Sequence, residues 1–279
     1  MKTKTVCLLI LLILGIACPK EKFSTNIRFP YKWLDEQGFG SDIDLERRIK
    51  EPSGICFHPS RKTLFVVSDE GMILEIKTDG MLVSGIQIPG DLEGITVNPQ
   101  TGFLYVIVEG EDVILEVDPV DQDVTREFPI NRLWKGDPNY IQKQQETYDQ
   151  GVESLEFVRD EAHPEGGAFY AGNQWDPPCV FELYIPLNTS HEKTAEAKIM
   201  RVLPLKLDDP AGMYYDPETK LLNVVSDADN ILVEITLEGK VVKEYAFLGD
   251  NQEGITRDDQ GFLYIAQDSG GILKVRDLR

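Results

Sequence analysis

Acidic side chains recur along this chain at a spacing that could bring them to one metal ion. Glu93, Glu153 and Glu253 stand at equivalent places, each followed by Gly or Ser and then by an apolar residue, and Ser53 and Ala211 hold that place in two further repeats. A polar residue follows each of these five starts further along the chain. The five downstream residues are Asp69, Glu109, Asn173, Asp227 and Asp268. Carboxylate and amide oxygens in this number, with no Cys or His among them, favour Ca²⁺ over Zn²⁺ or copper.

The spacing of the five starts predicts the fold that would position these residues. Successive starts are roughly forty residues apart, and each interval contains several short runs in which apolar and polar residues alternate, which is typical of β-strands. Repeats of this length and content indicate a β-propeller, in which no single blade can bury its faces alone. We therefore predict an all-β fold, a five-bladed β-propeller with mostly four antiparallel strands per blade.

The predicted blades would gather the acidic positions at one mouth of the central channel. In an antiparallel hairpin the start of the first strand lies beside the end of the second, so each repeat start should neighbour its downstream partner. Carboxylates brought together in this way raise one another's pKa unless a cation neutralises them. We predict a calcium site with Glu93, Glu153 and Glu253 as its leading ligands. The alternative is a hydrated set of strand-capping residues without a metal.

The last repeat lacks an outer strand, and this predicts how the ring closes. Three strands follow Glu253, whereas residues 42–49 precede the first repeat start and have the pattern of a strand. Pairing the two ends of the chain would remove exposed strand edges. We therefore assign residues 42–49 to the last blade, residues 42–279 to a single propeller domain, and residues 18–41 to a tether and lead-in.

The N-terminal residues have the features of an export signal. Two lysines precede an apolar run from Val6 to Ala17 that is too short to span a membrane. A small residue directly before Cys18 resembles the end of a bacterial lipoprotein signal, in which the cysteine becomes acylated. We expect residues 1–17 to be removed and a lipid on Cys18 to hold the protein at a membrane of the cell envelope. An ordinary cleaved signal and an uncleaved anchor are the alternatives.

The composition limits the partners that we expect. The chain has 28 basic and 48 acidic residues, which gives a formal net charge of −20, and the acidic residues are spread over all repeats. Nucleic acid is not an expected partner, because binding to phosphates requires clustered Lys and Arg. Cys56 and Cys179 lie within apolar strand patterns, so we expect two buried thiols. We expect a monomer.

One acidic residue also recurs in the third strand of four repeats. These residues are Glu75, Glu116, Glu182 and Glu234. Because side chains alternate between the two faces of a strand, the pattern predicts that they lie on solvated faces. Two insertions, residues 131–150 and 175–178, interrupt the repeat. Their aromatic residues, Trp134, Tyr140 and Trp175, are expected to pack beneath loops, with a ligand pocket as the alternative.

Several short motifs resemble those of a known family. They are Ser53-Gly54-Ile55, the strand end at Ser68-Asp69-Glu70, and Asp91-Leu92-Glu93-Gly94-Ile95, which Gln252-Glu253-Gly254-Ile255 echoes. Across residues 42–279 the chain resembles the SdiA-regulated family of YjiK-like β-propellers. The resemblance implies a five-bladed propeller exported to the cell envelope, with a calcium site and no established biochemical activity. The chain is also distantly similar to NHL-repeat and gluconolactonase-type propellers, which implies a channel metal held partly by a glutamate at a first-strand start.

Two classes of function agree with these observations. In the first, the protein is a calcium-holding module that binds a protein or a small-molecule ligand on its channel and loop face. In the second, it is a metal-dependent hydrolase that acts on a lactone or ester, or with less support on a phosphate ester, with a spare carboxylate as base. We favour the binding module and assign no catalytic residue, because no His, Lys or Ser constellation accompanies the acids.

Overall fold

The computed structural model describes residues 27–33, 51–137, 140, 151–175, 177–205, 207–249 and 251–279. Within these ranges the chain forms strands, turns and irregular segments, and no helix has the length and apolar character needed to cross a membrane. The predicted export signal, Cys18 and the strand predicted at residues 42–49 lie outside the described residues. In chain order the strands are β1 (Tyr31–Trp33), β2 (Pro52–His58), β3 (Thr63–Ser68), β4 (Met72–Lys77), β5 (Leu82–Gln87), β6 (Leu92–Val97), β7 (Leu104–Val108), β8 (Val113–Asp118), β9 (Asp123–Asn131), β10 (Val152–Arg159), β11 (Gly167–Asn173), β12 (Cys179–Tyr184), β13 (Ala197–Pro204), β14 (Gly212–Asp216), β15 (Leu221–Ser226), β16 (Ile231–Ile235), β17 (Val241–Ala246), β18 (Gln252–Arg257), β19 (Phe262–Gln267) and β20 (Ile272–Asp277).

In the described part of the chain these strands pair as five antiparallel units of four strands. Units 1 to 4 are meanders of consecutive strands, β2–β5, β6–β9, β10–β13 and β14–β17. Unit 5 consists of β18, β19, β20 and β1, so its outer strand comes from an earlier part of the chain. Units 2 and 3 also meet at their outer strands, where Ala197 and Lys198 pair in parallel with Ile130 and Asn131. The prediction of an all-β, antiparallel fold is confirmed.

The first strands of the five units contact one another in cyclic order. β2 contacts β6, β6 contacts β10, β10 contacts β14, β14 contacts β18, and β18 contacts β2. Five clusters of buried apolar side chains lie between neighbouring units, and each cluster takes residues from two of them. Leu64 and Val66 of unit 1, for example, share a cluster with Tyr264 and Ala266 of unit 5. Each unit thus covers the faces of its neighbours, as repeats without a core of their own must do.

A small residue directly after the repeat start lets the first strands approach closely. A Cβ atom on Gly94 would lie 2.6 Å from the carbonyl oxygen of Glu153 and 2.5 Å from the amide nitrogen of Leu155. Both contacts are with backbone atoms, so a side chain there would push the neighbouring strand outward. In unit 3 the equivalent residue is Ser154, whose hydroxyl donates a hydrogen bond to the carbonyl of Pro210. The narrow centre of the ring therefore follows from the residue types at this position.

The prediction that the third-strand acids lie on solvated faces is wrong. Three of the four are buried, and Glu75 is only 2% exposed. The guanidinium group of Arg61 donates two hydrogen bonds of 2.8 Å to Glu75. Burial alone would raise the pKa of Glu75, but hydrogen bonds such as these lower it below its usual value. Side-chain donors to Glu75, Glu116, Glu182 and Glu234 are, in that order, Arg61, Tyr105, Arg201 and Arg279. These donors come from other segments of the chain, so the alternation within one strand does not reveal them.

The strand beside β20 comes from the segment assigned to the tether and lead-in. Tyr31 lies opposite Asp277 and Trp33 lies opposite Val275 in antiparallel register. Residues 18–41 therefore contain a strand that the sequence pattern did not predict. The assignment of residues 42–49 to this sheet concerns residues outside the described ranges and stays a prediction.

Two predictions about individual side chains are confirmed. Cys56 and Cys179 are free thiols and both are buried. Trp134 and Tyr140 pack against the apolar cluster between units 2 and 3, and the ring of Tyr140 lies 6.5 Å from that of Phe181, edge to face. These two aromatic residues belong to the packing of the fold.

Candidate functional site

Four of the five repeat starts lie at β-bulges between the first and second strands of their units. The register shifts between Pro52 and Gly54, Leu92 and Ile95, Val152 and Ser154, and Gln252 and Gly254. The residues that these shifts skip include Ser53, Glu93, Glu153 and Glu253. A bulge leaves a residue outside the regular pairing and re-aims its side chain, and bulges are common next to functional sites. The side chains of the three glutamates therefore need not follow the regular alternation between the two faces of their strands.

Carboxylates from units 1 and 2 lie close enough at this mouth to share one cation. Asp69, Asp91 and Glu93 each offer one oxygen, and these oxygens lie within 4.8 Å of one another. Asp69 also accepts a hydrogen bond from the hydroxyl of Ser53. The amide of Glu109 donates to the carbonyl of Asp91 at 2.9 Å, which holds the end of β7 beside the start of β6. The hairpin geometry thus joins repeat starts to downstream residues, as the sequence predicts.

The three predicted glutamates act on one another electrostatically. Burial, followed by repulsion from Asp69 and other acids including Glu253, raises the pKa of Glu93 well above its usual range. The pKa of Glu153 is also raised well above its usual range, first by burial and then by repulsion from Asp209, Glu93 and Glu253. The pKa of Glu253 rises to about 9, chiefly through burial and then through Asp209. Each shift reflects a carboxylate that has lost water and gained like-charged neighbours.

A carboxyl pair between units 3 and 4 contains buried oxygens that no donor reaches. Glu153 Oε2 and Asp209 Oδ1 have no hydrogen-bond donor among the described residues, and the two carboxyl groups act on each other electrostatically. Burial raises the pKa of Asp209 to about 6, while hydrogen bonding with Glu153 and with the side chain of Gln174 partly opposes this rise. Two ionised carboxylates repel and cannot donate to each other, so a proton or a cation would stabilise this pair.

The five predicted downstream residues differ in what their side chains contact. Asp69, Glu109, Asp227 and Asp268 add negative charge to the mouth, since each repels at least one of the three glutamates. The side chain of Asn173 instead donates its amide hydrogens to the carbonyls of Trp175 and Pro177, at 2.5 and 2.8 Å. Asn173 therefore ties the insertion at residues 175–178 to the end of β11, and only its carbonyl oxygen could serve a metal.

Asp91 and Asp209 belong to this acidic mouth and were not predicted from the sequence. Each lies two residues before a repeat start. The residues at that position in the five repeats are Glu51, Asp91, Gly151, Asp209 and Asn251. Where the repeat has Gly151, the carboxylate of Glu109 fills the space, since a Cβ there would lie 2.7 Å from Glu109 Oε1. Aligning the five repeats two residues further upstream would have revealed this second acidic position.

The ring of first strands closes the channel directly below the acidic mouth. A cavity of only about 10 Å³ remains among the residues that follow the repeat starts, which include Gly94, Gly212 and Gly254. That volume is about the size of one water molecule. The channel is therefore narrow between the acidic mouth and its opposite end.

Antiparallel units that surround an acid-lined axis in this way define a protein of the β-propeller class. The chain belongs to the SdiA-regulated family, because the model of that family matches residues 34–269. The match includes all five repeat starts and their downstream residues. The resemblance inferred from the short motifs is therefore confirmed.

Solved structures of other proteins are similar to this chain at low sequence identity. Glutaminyl cyclase from Myxococcus xanthus matches over 90% of this chain and 97% of its own, with a TM-score of 0.58 and 11% identity. Hydrazine synthase from Kuenenia stuttgartiensis matches over 84% of this chain and 58% of its own, with a TM-score of 0.46 and 15% identity. A protein of unknown function from Bacteroides caccae matches over 77% and 69%, with a TM-score of 0.47 and 15% identity. The match to the cyclase supports a propeller-type fold and carries no statement about activity.

We expect the metal-free protein to be more stable in mild acid than in mild base. The pKa of Glu253 rises from 4.5 to about 9 on folding. A carboxyl group with a raised pKa favours folding while it is protonated, so its stabilisation is complete below about pH 4.5 and is lost as the pH rises towards 9. Thermal melts in EDTA should give a higher melting temperature at about pH 5.5 than at about pH 8.5, and Glu253→Gln should reduce the difference.

The exposed residue Glu161 provides the matched control for this experiment, since Glu161→Gln removes the same charge from the surface. That variant should keep the wild-type pH dependence. Equal melting temperatures at the two pH values, or a Glu253→Gln variant with the full wild-type difference, would contradict the expected coupling.

Proposed function

We propose that this protein is a cell-envelope β-propeller that holds Ca²⁺ at its acidic mouth and binds a protein or small-molecule ligand on the surrounding face. The observation that carries the proposal is the mutually interacting pair of acids Glu153 and Asp209, whose oxygens Oε2 and Oδ1 are buried without a donor among the described residues. Glu93 and Glu253 add to the repulsion on Glu153, so several partly or fully buried acids share this site. Burying unneutralised carboxylates is costly, and a hard cation with many oxygen ligands removes that cost.

Glu93, Glu153 and Glu253 are the leading ligands in this proposal. Ca²⁺ takes roughly six to eight oxygens, more than three side chains usually supply. The remaining ligands would come directly or through water from the other polar residues of the mouth. These are Asp69, Asp91, Glu109, Asn173, Asp209, Asp227 and Asp268. Bound calcium would neutralise the mouth and hold the loops around it in one arrangement.

The chemistry of the mouth favours binding over catalysis. Among the described residues, the largest electrostatic effects on the three glutamates come from carboxylates and not from a histidine or lysine. His58 is the last residue of β2, at the end away from the acidic mouth, where its Nε2 lies 3.1 Å from the carbonyl oxygen of Gly102. A nucleophile with its own base is therefore not part of this proposal.

We also propose that the five units are the blades of one closed propeller. The cyclic contacts of the first strands support this, as does the apolar cluster shared by units 5 and 1. In this arrangement β1 is the outer strand of the last blade, and it joins two distant parts of the chain in one sheet. Such pairing covers an edge that would otherwise be exposed.

Added calcium should raise the melting temperature of the wild-type protein. A ligand that binds only the folded state stabilises it by about 2.7 kcal/mol when its free concentration is about a hundredfold above its dissociation constant. The double substitution Glu93→Gln and Glu153→Gln keeps side-chain size while it removes two ligand charges, and should abolish the rise. The measurement is a thermal melt with and without Ca²⁺, together with calorimetric titration of the metal.

Surface glutamates offer a matched control for the loss of two charges. Glu161 and Glu196 have exposed side chains, and the double substitution Glu161→Gln and Glu196→Gln should keep the calcium response. If the wild-type protein shows neither a shift nor a heat of binding, the acidic mouth is a hydrated structural feature and the calcium proposal fails.

The envelope location rests on the N-terminal signal and Cys18, which lie outside the described residues. A single acyl chain binds membranes only marginally, so stable attachment requires a cysteine that carries more than one chain. Cys18→Ser should move the protein from the membrane fraction to the soluble fraction in the cells that export it. Wild-type protein that is already soluble and carries no lipid would show that the signal is of the ordinary cleaved kind.

A metal-dependent hydrolase is the second candidate, and Asp209 is the observation that favours it. A carboxyl group with a pKa of about 6 can accept a proton near neutral pH, which suits a general base beside a metal. Bound calcium would polarise the carbonyl of a lactone or ester. A screen of lactones and esters with calcium should then show turnover that Asp209→Asn abolishes. If the screen shows no turnover, the hydrolase candidate fails and the binding module remains the proposed function.

A further inference from the structure

A second cavity lies at the end of the channel opposite the acidic mouth. It has a volume of about 620 Å³, and Pro59, Pro99 and Pro217, which belong to the first hairpin turns of three units, contribute to its lining. Cavities of roughly 300 to 1,000 Å³ are typical of small-molecule sites. The constriction of about 10 Å³ between the first strands separates this cavity from the acidic mouth.

The carboxylate of Glu156 lies where the first strands border this cavity. The residues three positions after the repeat starts all border it, and they are Cys56, Thr96, Glu156, Tyr214 and Thr256. Glu156 is the acid among them. Its Oε1 accepts a hydrogen bond of 3.0 Å from the amide of Tyr215, and its Oε2 accepts one of 3.1 Å from the hydroxyl of Thr96. These two neutral donors fix the carboxylate in one orientation, and each oxygen keeps a lone pair for a further donor.

Among the described residues, no cation is paired with Glu156. Burial raises the pKa of Glu156 to about 8, and only its two neutral donors oppose the rise. Arg257 also lines the cavity but already has acidic partners, with guanidinium nitrogens 3.4 Å from Glu218, 3.7 Å from Asp277 and 3.8 Å from Asp216. A negative charge in the ligand would therefore compete with three carboxylates. A positive charge would meet the Glu156 carboxyl group, which has no cationic partner among the described residues and would lose its proton to pair with the ligand.

The rest of the lining also suits an organic cation. It contains five acidic and three basic side chains, so its formal charge is negative. Phe57, Phe157, Tyr214 and Tyr215 supply aromatic surface, and aromatic rings attract cations. At Glu156, a bare Ca²⁺ ion would find one carboxylate that is not already engaged by a cation, where it needs roughly six to eight oxygens. An ammonium group has three donors and can be satisfied by one carboxylate and neighbouring hydroxyls.

We propose that this second cavity binds a small organic ammonium ion, with its charged group on Glu156 and an apolar or aromatic body against Phe57, Phe157 and Tyr215. The hydroxyl of Thr96 and the amide of Tyr215 hold the carboxylate in position for this contact. The site is independent of calcium, because the constriction separates it from the acidic mouth. The two ends of the channel would then bind different ligands.

The test is calorimetric titration of the full chain in EDTA with three probes of one shape. They are 2-phenylethylammonium, the neutral 2-phenylethanol and the anionic phenylacetate. The wild-type protein should bind the ammonium probe at millimolar concentration or below and prefer it to the other two. Glu156→Gln keeps the size of the side chain and should weaken that binding by about thirtyfold or more, the factor for removing one partner of a buried charge pair.

The control is Glu161→Gln, which changes an exposed residue, and this variant should bind the ammonium probe as the wild type does. The ranking of the three probes on the wild-type protein decides the proposal even if Glu156→Gln does not fold. Equal affinity for the alcohol, a preference for phenylacetate, unchanged affinity in Glu156→Gln, or no ammonium binding at millimolar concentration would each overturn it. Because EDTA is present throughout, failure here is distinct from failure of the calcium proposal.

Discussion

The structure depends on the burial of several carboxylates where the first strands of all five units converge. The strands must run side by side so that each unit covers its neighbours, and small residues such as Gly94 and Ser154 let their backbones meet. The same convergence brings Glu93, Glu153 and Glu253 into one electrostatic field. Lost hydration and mutual repulsion make this arrangement unfavourable while the acids are charged. Protons or a cation must therefore neutralise part of the mouth, and which of them does so sets its chemistry.

The two ends of the channel differ although they are built from the same five strands. At one end the residue at the repeat start, placed at a bulge, is an acid in three units, and Asp91 and Asp209 add to it from two positions upstream. At the other end the bordering residues are mostly neutral, and Glu156 is set among hydroxyls and aromatic rings. Chemistry is thus carried by a few positions of a repeat whose remaining residues serve packing, which is how one fold can serve unrelated functions.

Most of what could be predicted from the sequence came from the spacing of its repeats. The spacing of the repeat starts predicted the antiparallel units, and hairpin geometry predicted which acids would meet. The third-strand acids were misjudged, because the partner of Glu234 is Arg279, 45 positions away, and a single strand pattern contains no such partner. Asp91 and Asp209 were missed because the repeat start was treated as the edge of the site. The place of β1 in unit 5 was also out of reach, because a strand of three residues has too short a pattern to recognise.

In the proposed function, a divalent cation neutralises the acidic mouth. A crystal structure of the protein grown with Ca²⁺, with diffraction data collected for the anomalous signal of calcium, tests it most directly. We expect one strong anomalous peak among the carboxylate oxygens of Glu93, Glu153 and Glu253, with further oxygens completing roughly six to eight ligands. Carboxyl groups that meet each other and ordered water at that place, without an anomalous peak, would contradict it.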